Sequence, residues 1–165
     1  MCPDKGVHLA VQAALEAGKK LIIAGNVYES HSDYFEQMIK PFIDDQRILY
    51  VGEVGFAKKI ELYQGAAATL FPIQWNEPTG AVMFESMACG TPVIAFDRAA
   101  VREIIKNGTS GLVVADGNAK AMAAAVPRAL ELDRHNVRQW AENNFSSDKW
   151  AKKFEDICGK LVIKD

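Results

Sequence analysis

Several features that would narrow the function of a protein are scarce or missing in this chain of 165 residues. No apolar run approaches the ~18 residues of a transmembrane helix, and residues 1–6 lack the hydrophobic core of a signal peptide. The three cysteines, Cys2, Cys89 and Cys158, are odd in number and do not have the spacing of a metal site. We therefore expect free thiols in a reducing cytoplasm, no membrane span and no metal.

Strong charge of either sign is also missing. The chain carries 19 Lys and Arg against 21 Asp and Glu, for a net charge of −2. That balance argues against a surface built to bind nucleic acid or an anionic membrane. Hydrophobic residues make up 49% of the chain, which is ample for one core, and we treat residues 1–165 as one domain.

What the sequence does contain is a regular alternation of strand and helix patterns. Short apolar runs predict buried parallel strands at 21–25, 48–52, 68–72, 92–96 and 111–115. The segments around them predict helices at 6–17, 33–43, 58–67, 80–89 and 100–106, with two or three more in 118–162. This order indicates an α/β fold with a doubly wound, Rossmann-like parallel sheet and helices on both faces.

The order of elements has one irregularity. A doubly wound domain usually starts with a strand that becomes central, yet no strand pattern precedes Lys5. We expect either that the first strand was lost by truncation or that the sequence is a piece of a longer chain.

Residues 77–95 carry the densest functional signal. They follow the third predicted strand, and ligands of such sheets bind beyond the carboxyl ends of the strands. Glu77 lies on a Pro/Gly turn, and Glu85 lies in an otherwise apolar helix, where a buried carboxylate is costly unless it is paired or binds a ligand. We interpret both as parts of a site for one elongated, phosphorylated ligand. The alternatives are a solvated Glu77, a salt bridge from Glu85 to a lysine, or a glycosidase-type carboxylate pair.

The helix start between the two glutamates predicts an anion site. Thr79 is expected to cap the helix through its hydroxyl, which leaves the amides of Gly80, Ala81 and Val82 at the positive end of the helix dipole. Gly80 has no side chain, so a phosphate could approach the backbone closely. A glycine that merely starts the helix is the structural alternative.

The same segment resembles the signature of a known family. Residues 77–95, EPTGAVMFESMACGTPVIA, look like the E-x7-E motif of retaining GT-B glycosyltransferases of family 4 (glycosyl transferases group 1), whose usual form begins EPFG. The resemblance extends through 101–114 and to 4–6, 21–25 and 50–54, so it covers nearly the whole chain. It implies the C-terminal, donor-binding domain of an enzyme that transfers a hexose from a nucleotide diphosphate sugar with retention, and that needs no cofactor.

The resemblance also implies residue roles at the sugar and phosphate end of the donor. Glu77 would be the catalytic-site glutamate, contacting hydroxyls of the donor sugar near the reacting carbon. Lys5 would pair with the diphosphate. The amides of Gly80, Ala81 and Val82 would meet both the sugar and the diphosphate.

At the nucleoside end, the resemblance implies that Glu85 binds the ribose, that the backbone near Val54 touches the base, and that the turn after Gly25 lines the pocket. Two departures from the family pattern stand nearby. Thr79 replaces a common aromatic residue and would alter the donor-sugar pocket. Residues 97–100 replace a stretch that usually contains glycine.

The family's N-terminal Rossmann-like domain, which carries the acceptor site, has no counterpart in the chain. We therefore expect this chain to bind donor weakly and to transfer little by itself, with the acceptor domain supplied in cis or in trans. The alternatives are a non-catalytic nucleotide-sugar-binding or interaction module, half of a split enzyme, or a sugar-nucleotide epimerase of the same architecture.

The C-terminal segment predicts an amphipathic helix whose apolar stripe contains Trp150, Phe154, Ile157 and Leu161. We expect this helix to pack into the core. The alternative is an exposed patch that contributes to a homodimer contact.

Overall fold

The predicted alternation of strands and helices is confirmed. A computed structural model describes residues 1–161. The strands are β1 (Leu21–Ile23), β2 (Ile48–Tyr50), β3 (Thr69–Phe71), β4 (Val93–Phe96) and β5 (Gly111–Val114). The helices are α1 (Val7–Glu16), α2 (Ser32–Met38), α3 (Phe56–Gly65), α4 (Ala81–Ala88), α5 (Val101–Ile104), α6 (Ala119–Leu130), α7 (Arg134–Phe145) and α8 (Ser147–Leu161).

One helix is shorter than predicted. The helix expected over 33–43 ends at Met38, and a 3-10 turn over Lys40–Phe42 follows it. Pro41 lies in that turn, and proline lacks the amide hydrogen that a continuing helix requires.

All strand pairings are parallel, but they form two groups. β1 pairs with β2, and the other group has the order β3-β4-β5. Within residues 1–161 no ladder joins β1 to β3. The N-terminal segment contacts both groups instead. The Met1 ammonium donates a hydrogen bond to the Asn26 carbonyl, which follows β1. The backbone amide of Gln74, which follows β3, donates to the Asp4 carbonyl at 2.7 Å. The carboxyl ends of both groups therefore border one segment.

Strand β4 is buried on both faces and divides the core. Val93 and Ala95 pack with α4 and α7, whereas Ile94 and Phe96 pack with α1 and α6. Successive side chains of a strand point to opposite faces, so one strand can serve two layers of helices. This arrangement confirms the predicted doubly wound α/β class.

Gly6 fixes the N-terminal segment against the end of β3. Its φ is +65°, and a Cβ at this position would lie 1.9 Å from the carbonyl oxygen of Pro72. Both the left-handed backbone and the close contact exclude a side chain. The contact places Lys5 beside the residues that follow β3.

The expectation that α8 packs into the core is wrong. Trp150, Phe154 and Ile157 are 48%, 69% and 48% exposed, although they share one face as the periodicity predicts. The side chain of Leu161, the fourth predicted member, lies outside the described residues. The rings of Trp150 and Phe84 form a T-shaped pair, with centroids 6.4 Å apart. Across residues 1–161, no helix is both long and apolar enough to cross a membrane.

The Gly6 contact can be tested by comparison with Gly18, whose φ of +61° is similar but whose missing Cβ would have nothing within 4 Å. Gly18→Ala should lower the free energy of unfolding by about 1 kcal/mol, the cost of the left-handed backbone. Gly6→Ala should lower it by about 2–4 kcal/mol, because the collision with Pro72 adds to that cost. Denaturant unfolding measures both. Equal losses would show that the close contact contributes nothing.

Candidate functional site

Helix α4 begins at a glycine, and the predicted cap is wrong. Gly80 is the N-cap residue, with φ +56°, and no side chain caps the helix. The Thr79 hydroxyl has no capping role because the left-handed glycine moves the cap one residue along. Ala81 and Val82 are exposed, and within residues 1–161 their amides have no hydrogen-bond acceptor. Two donors at the positive end of α4 are therefore open to an external anion.

The role of Gly80 differs from the one expected. A Cβ at this position would lie 2.5 Å from Cε of Met83 and 3.1 Å from Cζ of Phe71, and Gly80 itself is buried. The absent side chain makes room for the protein's own core, where the sequence indicated room for a ligand. The glycine also permits the left-handed conformation.

Lys5 and Glu77 come together although 72 residues separate them in the sequence. The Lys5 ammonium donates to Oε2 of Glu77 at 2.8 Å and lies 5.4 Å from the ring centroid of Trp75. Partial burial raises the pKa of Glu77. The hydrogen bond and the charge of Lys5, with hydrogen bonds from the Gly80 amide and the Trp75 indole, together outweigh burial and hold that pKa below its ordinary value. No pattern in the sequence indicated that Trp75 contacts Lys5.

Glu85 is only partly buried, so the expectation of a buried carboxylate is wrong, and the alternative of a salt bridge to a lysine is confirmed. Its side chain is 37% exposed, and the Lys59 ammonium donates to Oε1 at 2.6 Å. The Tyr63 hydroxyl donates to Oε2 at 3.2 Å. Lys59 and Tyr63 were missed by sequence reasoning; their spacing of four residues, which places them on one face of α3, was the available signal.

The two other predicted segments also meet. The Gly25 amide after β1 donates to the Gly52 carbonyl after β2 at 2.8 Å, and the Tyr50 hydroxyl donates to the Gly25 carbonyl at 3.0 Å. The turn that carries Val54 therefore lies beside the turn that follows Gly25. Both turns are at the carboxyl edge of the parallel strands, where such sheets bind ligands.

The turn after β4 lies in the stretch 97–100, where the family pattern usually contains glycine. Ala99 has φ +50°, which non-glycine residues rarely adopt. Arg98 beside it makes two hydrogen bonds to the carboxylate of Asp116, which follows β5. This arginine is held by an ion pair at the sheet edge.

Other reactive groups are few in the described part of the chain. Cys2, Cys89 and Cys158 are free, and partial burial raises the pKa of the Cys89 thiol, which disfavours a nucleophilic thiolate. Among residues 1–161, no three side chains of His, Cys, Asp and Glu are grouped to hold a metal ion.

Known proteins resemble this chain in both sequence and fold. The family model described as "Glycosyl transferases group 1" matches residues 1–146. "Uncharacterized glycosyltransferase MJ1607" of Methanocaldococcus jannaschii is 31% identical over 164 residues, which are 97% of this chain and 41% of that protein.

Two solved structures show the same fold. AviGT4, described as a glycosyltransferase involved in avilamycin A biosynthesis, has a TM-score of 0.83 and 25% identity, covering 98% of this chain and 49% of that one. Anabaena Alr3699/HepE, solved in complex with UDP and glucose, has a TM-score of 0.83 and 20% identity, covering 98% of this chain and 46% of that one. The chain thus spans less than half the length of each of these proteins.

The lowered pKa of Glu77 can be measured by NMR titration of its carboxyl carbon. The wild-type pKa should lie below the ordinary glutamate value, so the ion pair persists at neutral pH and is lost as the pH falls through that lowered pKa. In Lys5→Met the burial remains without the cation, so the pKa should rise from its wild-type value, although the hydrogen bonds from the Gly80 amide and the Trp75 indole still lower it. The exposed Lys19→Met is the control. An unchanged pKa in Lys5→Met would contradict the pairing.

Because the backbone of Ala99 is in the left-handed region, we expect a glycine to be more stable than alanine at this position. Ala99→Gly should raise the free energy of unfolding by about 0.5–1 kcal/mol, because relief of the backbone strain exceeds the entropy that glycine adds to the unfolded chain. Denaturant unfolding tests this, with Ala100→Gly, which has a negative φ, as a control that should lose stability. A loss in Ala99→Gly would show that the strain is absent.

Proposed function

Because the chain belongs to the glycosyl transferases group 1 family, we propose that it is the donor-binding half of a hexosyltransferase. The proposed reaction transfers a hexose from a nucleotide diphosphate sugar to an acceptor, with retention. The observation that carries the proposal is the grouping at α4: two open amides at the helix start, the Lys5–Glu77 pair beside them, and Glu85 farther along the same helix.

The phosphates are assigned to the start of α4. The amides of Gly80, Ala81 and Val82 lie at the positive end of the helix, and Lys5, about half exposed, can turn from Glu77 to a phosphate oxygen. A cation and a helix dipole stabilise the negative charge that a leaving nucleoside diphosphate gains. This arrangement supports a transfer that uses no metal ion and no cofactor.

The donor's two other parts are assigned to either side of the phosphates. Glu77 is proposed to accept hydrogen bonds from the hexose near the reacting carbon, with the exposed Thr79 shaping the sugar pocket. Glu85 is proposed to bind the ribose; at about 1.5 Å of rise per residue it lies about 7.5 Å along the helix axis from Gly80. The adjoining turns at Gly25 and Val54 are proposed to enclose the base.

A second candidate function is donor binding without transfer. The chain spans less than half the length of its relatives, so the acceptor side would have to come from another domain, in cis or in trans. The exposed stripe of Trp150, Phe154 and Ile157 on α8 supports a contact with such a domain or with a second copy of the chain. The free cysteines fit the reducing conditions of the cytoplasm.

The proposal is tested by calorimetric titration of the full chain with UDP-, GDP- and ADP-hexoses. At least one should bind, weakly because only one side of the cleft is present. Glu85→Gln should weaken that binding by about 10- to 100-fold, because hydrogen bonds to a charged group contribute about that factor to an equilibrium constant. Glu61→Gln on α3 is the control, since Glu61 is exposed and pairs with Lys58. If no nucleotide sugar bound, the assignment of a donor site would be wrong.

A further inference from the structure

We propose that Lys59 and Tyr63 are positioning residues, which orient the Glu85 carboxylate toward the vicinal hydroxyls of the donor's ribose. The inference rests on the proposed function and adds two residues of α3 that touch Glu85 without needing to touch the donor. The Lys59 ammonium donates to Oε1 at 2.6 Å and the Tyr63 hydroxyl donates to Oε2 at 3.2 Å, so each carboxylate oxygen accepts one hydrogen bond from α3.

The hydrogen-bond capacity of the carboxylate matches this role. An ionised carboxylate offers about four lone-pair sites on its two oxygens. Lys59 and Tyr63 occupy one site on each oxygen. One site on each oxygen then remains, which is the pattern that two neighbouring hydroxyl donors require.

Charge favours the same arrangement. A bare carboxylate on α4 would repel the diphosphate of the ligand, and the adjacent Lys59 ammonium offsets that repulsion. Lys59 also lies 5.9 Å from the ring centroid of Phe56, which limits its positions. Burial, and then the negative charge of Glu85, raise the pKa of Tyr63, so its phenol remains protonated and donates at neutral pH.

Helix α3 is held firmly enough to act as a support. The Arg134 guanidinium of α7 donates to the Ala66 carbonyl at 2.6 Å and to the Gln64 carbonyl at 2.8 Å. It also donates to the hydroxyl of Thr91, which in turn donates to the Tyr63 carbonyl. The backbone that carries Tyr63 is therefore tied to both α7 and the residues before β4.

The test compares binding of UDP, GDP and ADP with binding of their 2′,3′-dideoxy counterparts by calorimetry on the full chain. The wild type should prefer the ribose form of the diphosphate that it binds, by about tenfold or more. Tyr63→Phe should reduce that preference at least about threefold while leaving the affinity for the dideoxy form unchanged. Lys59→Met should reduce the preference and also weaken binding of the dideoxy form, since the repulsion by Glu85 is no longer offset.

Matched controls separate positioning from general damage. Tyr34→Phe removes a phenol that bonds His8, and Lys58→Met removes a lysine that pairs with Glu61; both should retain the full ribose preference. In a Glu85→Gln background, Tyr63→Phe should cause no further loss of preference. If Tyr63→Phe unfolds at a lower temperature but keeps the full preference for the ribose form, Tyr63 serves stability only. That result would overturn this inference and leave the proposed function standing. Failure of the wild type to bind any of the three diphosphates would overturn the proposed function and the inference together.

Discussion

The backbone contact between Gly6 and the Pro72 carbonyl is the constraint on which the candidate site depends. It joins the first turn of the chain to the end of β3, where a side chain of any size would collide. Because of that contact, Lys5 lies close enough to Glu77 to form a hydrogen bond. The same contact orients α1 so that it packs on β4. A local requirement for glycine thus decides which residues from distant parts of the sequence share one site.

The electrostatic balance of the site follows from two ion pairs. Lys5 pairs with Glu77 and Lys59 pairs with Glu85, so the four side chains sum to no net charge. The helix start adds a partial positive charge of about one half. A site of this kind attracts a diphosphate only modestly, and it can present two carboxylates to hydroxyls without repelling the phosphates between them.

The sequence predicted the elements well and the contacts poorly. Short apolar runs located the strands found within residues 1–161, because period and length are local properties. The Lys5–Glu77 proximity was implied only by family resemblance, since no local pattern relates residues so far apart. Lys59 and Tyr63 were missed for the same reason: their partner Glu85 lies on another helix.

Two local predictions were also wrong. Thr79 does not cap α4, because the left-handed Gly80 occupies the N-cap position. The predicted burial of the apolar face of α8 was wrong because periodicity shows which face of a helix is apolar but not whether another element covers it.

The central claim is that a nucleoside diphosphate binds at the start of α4, and amide chemical shifts of the full chain test it most directly. On addition of UDP, GDP or ADP, we expect the largest shifts at the amides of Gly80, Ala81 and Val82, with smaller shifts at Lys59 and Tyr63. Saturable shifts confined to other segments, such as the exposed face of α8, would place the ligand elsewhere and contradict the account.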